Sequence, residues 1–221
     1  MPPKQSVADP VLEMLTTLQK SVDSINDKLT VMTTKLDTVS DKVQAHDDQL
    51  NVLSETVNGL EQRGRMNSLR ISGLPIPTHA AGCPIKTCTE VYNRVLKPIL
   101  VEAVRNGDIA SVPDCLQLIE YGHTLPGKKG DAPNIIIRLS SRIFKLCIFK
   151  NKRKVLTGNA SMQGIYLNED LTAINRRRLV ETKSNPATQS AWTVNGKIKY
   201  TLKDSPSTVR TWSPKHPGGS N

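Results

Sequence analysis

Aromatic side chains are scarce in this chain: two Trp, two Phe and four Tyr make up 4 % of 221 residues. A large core filled with rings is thereby excluded. No apolar run reaches the roughly 18 residues that a membrane span needs, so no membrane partner is expected. The start, Met1-Pro2-Pro3-Lys4-Gln5-Ser6, carries no apolar stretch of the signal-peptide kind. The four cysteines, at 83, 88, 115 and 147, make no CxxC pair. Cys83 and Cys88 with nearby His79 would need a fourth ligand to hold a metal, and none is evident. Reduced thiols in an intracellular protein, with no metal or other cofactor, are the expectation. Walker A, GxGxxG, HExxH and GxSxG signatures are all missing. Glu169 and Asp170 are adjacent carboxylates whose side chains would not converge, and a helix cap accounts for them. The chain is expected not to be an enzyme.

Charge is present but unevenly placed. The net charge is +10. Residues 1–62 hold five Lys/Arg against ten Asp/Glu, and residues 63–221 hold twenty-five against ten. The acidic front and the basic rear therefore have different tasks, and the rear points to a polyanion.

The front also lacks helix breakers. No proline lies between Pro10 and Pro75, and the only glycines before Gly73 are Gly59 and Gly64. Apolar residues recur there in steps of three and four. The a positions are Leu15, Val22, Leu29, Leu36, Val43, Leu50 and Val57; the d positions are Leu18, Ile25, Met32, Val39, His46, Leu53 and Leu60. Thirteen of these fourteen sites are apolar, and so sustained a 3.5-residue period predicts a left-handed coiled coil over 11–63. A lone helix would leave its seam in water, so the chain is expected to associate with itself. Dimer and trimer both stay open, because no core Asn selects one and Lys28, Lys35 and Lys42 at g face mostly Thr and Ser at e. His46 is either a tolerated packing defect or a pH-sensitive layer.

Behind the rod the pattern changes. Ser68–Leu74 and Asn134–Leu139 read as strands, with weaker strand patterns at 115–121 and 164–167. Residues 84–103 and 142–156 read as helices, the first kinked or ended early at Pro98. The resulting order, β-α-β-β-α-β over 66–168, predicts a split-βαβ sheet with one open face, as in RRM domains. The third strand would present Ile136 and Arg138 where RRMs present stacking rings, which favours phosphate contacts over base reading. A helix capped by Asp170 or Thr172 and a hairpin turned at Asn195-Gly196 follow, giving a small domain over 169–204. The two-residue turn pairs Val194 with Lys197 and Trp192 with Lys199, so Trp192, Lys197 and Lys199 share one face. Trp192 there is either a base-stacking ring or a core residue. Residues 1–10 and the Pro/Ser/Gly-rich tail 205–221 are expected to be disordered. The fold class is thus α+β: a long N-terminal coiled coil, an RRM-like domain and a small helix-plus-hairpin domain. The cluster Lys150, Lys152, Arg153 and Lys154 admits three readings: a solvated helix end, a phosphate site or a nuclear-localisation signal. The loop lysines Lys128 and Lys129 join the candidate phosphate contacts.

The stretches "RGRMNSLRISGLP", "LPGKKGDAPNIIIRLSSRIFKLCIFKNKRKVL", "IYLNEDLTAINRRRLVETKS" and "SAWTVNGKIKY" resemble the first-open-reading-frame proteins of LINE-type retrotransposons of invertebrates. Residues 165–200 also resemble the C-terminal domain of baculovirus FP proteins. The resemblance covers almost the whole chain. It implies a coiled-coil oligomer, often a trimer, whose RRM-like and C-terminal domains coat single-stranded RNA and act as a nucleic-acid chaperone. By matching position it makes Arg65, Arg70, Arg138, Arg142, Arg176, Arg177 and Arg178 candidate contacts. Departures are the missing zinc knuckle or PHD-like finger, Thr124 in place of a basic residue after His123, and a short chain. An active element protein and a degenerate or host-retained copy both stay open.

The expected function is therefore oligomeric, largely sequence-independent binding of single-stranded RNA, with DNA an open alternative, in the cytoplasm or also the nucleus. The other reading is a non-enzymatic FP-like scaffold for acidic proteins or anionic surfaces.

Overall fold

The computed structural model describes residues 8–77, 82–126 and 132–214. His79, Lys128 and Lys129 lie outside them. The chain divides into two units, Met1–Glu55 and Thr56–Asn221. The architecture is mixed α and β: a long N-terminal helix, then antiparallel sheets and further helices.

Helix α1 (Ala8–Gly64) runs unbroken, starting inside the segment expected to be disordered. Every one of the thirteen apolar seam residues named above is 43–65 % exposed. Hydroxyls of Thr16, Thr17, Ser21, Thr30, Thr33, Thr34 and Thr38 bond back to carbonyls four residues earlier, sharing those carbonyls with the helix ladder. Among the described residues no helix is long and apolar enough to cross a membrane.

In the second unit, strands β1 (Ser68–Ser72), β2 (Ile119–Thr124), β3 (Ile135–Leu139) and β4 (Tyr166–Glu169) form one sheet in the order β2-β3-β1-β4, every pairing antiparallel. One face is covered by helices α2 (Pro84–Val91), α3 (Lys97–Arg105) and α5 (Arg142–Gly158). Leu69, Ile71, Ile135, Ile137, Leu139 and Leu167 bury themselves there against Val91, Val95, Leu96, Ile99, Leu100 and Ile148. Alternation puts Arg70, Ile136 and Asn168 on the other face.

Several elements depart from the sequence reading. Pro98 does not end its helix. Instead the chain makes a π-helical turn at Tyr92–Leu96 between α2 and α3, which absorbs the missing N–H and the ring's clash with the carbonyl four residues back. Residues Cys115–Leu118, read as strand, form a one-turn helix α4, because Asp114 and Gln117 make a reciprocal capping box. The strand therefore starts at Ile119, and a bulge at Glu120 resets its register. Gly73 follows β1 at φ +80, and a Cβ there would overlap the Gly164 carbonyl.

Helix α6 (Ala173–Ser184), capped by Thr172, packs on a second sheet of β5 (Thr188–Val194), β6 (Lys197–Leu202) and β7 (Arg210–Thr211). The hairpin register pairs Val194 with Lys197 and Trp192 with Lys199. Strand β7 lies within the tail expected to be disordered. Residues 210–212 are held there: the Trp212 N–H donates to the Ile198 carbonyl at 2.9 Å, and Arg178 lies 4.2 Å from the ring centroid. A Pro- and Ser-rich composition hid that pairing.

One buried polar junction ties α1, the first sheet and the hairpin together within the second unit. Glu169, at the end of β4, accepts the N–H groups of Asn195 and Gly196, both at 2.9 Å, and lies 3.1 Å from Lys145 of α5. Lys145 also donates to the Met66 carbonyl at 2.7 Å. From α1, Gln62 donates to the Asp170 carbonyl and accepts the Thr172 N–H, and Asn58 accepts the Thr172 hydroxyl. Gly196, at φ +75, has no room for a Cβ beside Gln62. Asn58 and Gln62 sit at the b and f positions of the last heptads. The docked face of α1 is thus opposite the apolar seam, and Val57 and Leu60 remain exposed.

Candidate nucleic-acid interface

The face of the first sheet opposite the helices is laid out by its register. One row across the strands is Asn168, Arg70, Ile136 and His123. The next holds Arg138 and Tyr121, and Tyr166 stands opposite Ser72 at the far end of β4. On this face β3 carries Ile136, which is buried, and the half-buried Arg138, and no ring. The rings come from the outer strands instead. Tyr121 and His123 stack with centroids 5.1 Å apart and share a hydrogen bond of 2.6 Å. Tyr121 is 48 % and Tyr166 64 % exposed. All three were missed from sequence. The signal was the period-2 spacing in Tyr121-Gly122-His123, obscured by placing the strand too early.

Arg70 is half-buried on this face, and its Nε donates to Asn134 Oδ1 at 3.2 Å. Burial, and after it the neighbouring Arg176 guanidinium, pull Arg70 below the usual guanidinium value; Asp170 opposes them. That carboxylate is already held by Arg65, whose Nη1 is 3.0 Å from Asp170 Oδ2 while Nη2 is 2.7 Å from Glu61. Burial lowers the Arg65 pKa, but Asp170 and Glu61 outweigh it and raise the value. So Arg65 is occupied internally. Arg176, whose Nη2 donates to the Leu171 carbonyl at 3.4 Å, is near enough to act on Arg70 as a like charge, and among the described residues the carboxylate that opposes it, Asp170, is already bonded to Arg65.

The other predicted cations divide by their partners. Arg138 is paired with Glu120 at 2.8 Å. Arg142 is exposed at the start of α5, with no ion pair among the described residues. In the cluster after it, Lys150 pairs with Asp108 at 2.5 Å and Lys154 with Glu102. Lys152 donates to the Leu167 carbonyl at 2.5 Å and lies 4.0 Å from the Phe149 ring centroid. Only Arg153 of the four is exposed without such a partner among the described residues. The cluster is largely a structural belt around α5. Arg177 lies 3.7 Å from Glu181, and Arg178 covers Trp212. On the hairpin, Trp192 is 37 % exposed on the face it shares with Lys197 and Lys199, while Ile198 is buried on the other; Lys199 reaches Thr211 Oγ1 at 2.5 Å. Trp192 is thus not buried in the core. Among the described residues, no three His, Cys, Asp or Glu side chains gather as a metal site requires.

No family model matches the chain, and no curated protein matches it.

Proposed function

We propose that this chain is an oligomeric, largely sequence-independent binder of single-stranded nucleic acid, RNA first, acting as a ribonucleoprotein coat and chaperone of the kind that LINE-type first-open-reading-frame proteins provide. The observation that carries the reading is a sheet face, free of helices among the described residues, that bears the exposed Tyr121 and Tyr166 rings and the stacked His123 together with Arg70, on which Arg176 acts as a second positive charge. Guanidiniums hold phosphates while rings accept bases without selecting them. The strand order β2-β3-β1-β4 supports reading residues 66–168 as an RRM-like domain, and the exposed heptad seam supports a coiled-coil dimer or trimer. No catalytic role is proposed.

The Arg70→Ala, Arg176→Ala double variant tests it. Affinity for single-stranded RNA should fall about tenfold or more, equally for unrelated sequences, with the salt slope shallower by about 0.7 for each phosphate no longer held. Arg178 is a poor choice for such a test, since its loss would also strip Trp212. Unchanged affinity in the double variant would remove the assignment, and binding to acidic proteins but not RNA would favour the scaffold.

A further inference from the structure

A cleft of about 560 Å³ lies between the last turns of α5 and the outer edge of β4. Leu156, Met162, Ile165 and Leu167 supply its apolar wall, Arg153 and Lys152 line one side, and Tyr166 and Asn168 line the other. We propose that this cleft is a separate subsite that takes one unpaired nucleotide of the bound single strand, its base against the apolar wall and Tyr166, its phosphate on Arg153. The inference rests on the single-strand reading above and adds a second place of contact to it.

Four observations select that occupant. The volume lies in the range of small-ligand pockets, which run to roughly 300–1,000 Å³. No Asp or Glu lines it, so an anion meets no repulsion. Within the α5 cluster, the lysines with carboxylate partners are Lys150 and Lys154, which do not line the cleft; Arg153, which does, is exposed and unpaired among the described residues. Finally, β4 is an edge strand, yet the Lys152 ammonium caps its Leu167 carbonyl. That bond blocks the backbone ladder which an extended peptide would need to add a strand here. Continuity with the sheet face follows from register: Asn168 stands directly opposite Arg70 on β1, so a strand gripped at Arg70 passes Asn168 and Tyr166 on its way to the cleft.

The test uses the full chain, a fluorescein-labelled 12-nucleotide single-stranded RNA, and the same oligonucleotide carrying one abasic site scanned along its length. Leu156→Trp fills the cleft, and Arg153→Ala removes its surface cation. Wild type should bind the intact oligonucleotide about tenfold more tightly than the weakest abasic one, as the loss of one stacked base implies. Leu156→Trp should lose that discrimination while keeping the wild-type salt slope. Arg153→Ala, an exposed change that leaves the fold intact, should make the slope shallower by about 0.7. If Arg70→Ala weakens binding while both cleft variants keep wild-type discrimination and slope, the cleft assignment is overturned and the sheet-face reading stands. If wild type ignores the oligonucleotide altogether, both fall.

Discussion

Glu169→Ala should destabilise the second unit by about 3–5 kcal/mol, a large share of the 5–15 kcal/mol that holds a typical domain together. The side chains of Lys145 and Glu169 are 3 % and 4 % exposed. Removing the carboxylate strands the ammonium in the interior, and it also takes the acceptor from the Asn195 and Gly196 N–H groups that dock the hairpin turn. The chain's two tryptophans, Trp192 and Trp212, both belong to the C-terminal sheet region, so urea unfolding followed by their fluorescence reports the loss. Lys145→Met with Glu169→Leu should recover part of the stability, since neither charge is then buried alone, but not all of it, since the turn still lacks its acceptor. Acid should act in the same direction. Burial raises the Glu169 pKa, but the Gly196 N–H and Lys145 outweigh it and hold the carboxyl below its ordinary 4.5. A depressed folded-state pKa contributes stability that is present above the unfolded value and is lost as pH falls through the folded one. The hairpin should therefore loosen below about pH 4.5. A Glu169→Ala midpoint equal to wild type would show that the junction does not hold the sheet.

On the proposed coiled-coil assembly, Leu29→Lys with Leu36→Lys should leave a single chain of 24.3 kDa. Both residues occupy a positions, and both are more than half exposed in the lone helix. Two or three ammonium groups meeting at each layer cannot be desolvated together. Affinity for a long single strand should fall about 100-fold or more, because linked modules bind one strand at high effective concentration and separated ones do not. A short oligonucleotide, which one module can fill, should be bound nearly as before. An unchanged mass in sedimentation would refute the seam. A single chain with undiminished affinity for the long strand would keep the seam but refute its contribution to binding.

What could be read from sequence was whatever local periodicity determines. The heptads announce α1, and the Asn195-Gly196 turn fixes the hairpin register, because each is encoded within a few residues. The strand at 115–121 was misplaced because a capping box at Asp114 and Gln117 starts a helical turn before β2. That short shift obscured the outward Tyr121 and His123. The neutralisation of Lys150 and Lys154 was invisible for a different reason: Asp108 and Glu102 lie more than 40 residues away, and only the packing of α3 against α5 brings them near. Glu169 and Asp170 read as cap residues. Only tertiary structure shows one holding the hairpin turn and the other occupied by Arg65. The Arg70–Arg176 apposition is likewise a product of the fold, since it joins β1 to α6.

The most direct measurement is sedimentation of the intact chain with labelled single-stranded RNA across a series of salt concentrations. The account predicts a protein of two or three times 24.3 kDa that binds with a slope of log affinity on log salt steeper than about −3. A protein that sediments as one chain, or that leaves the RNA free even in dilute buffer, would contradict it.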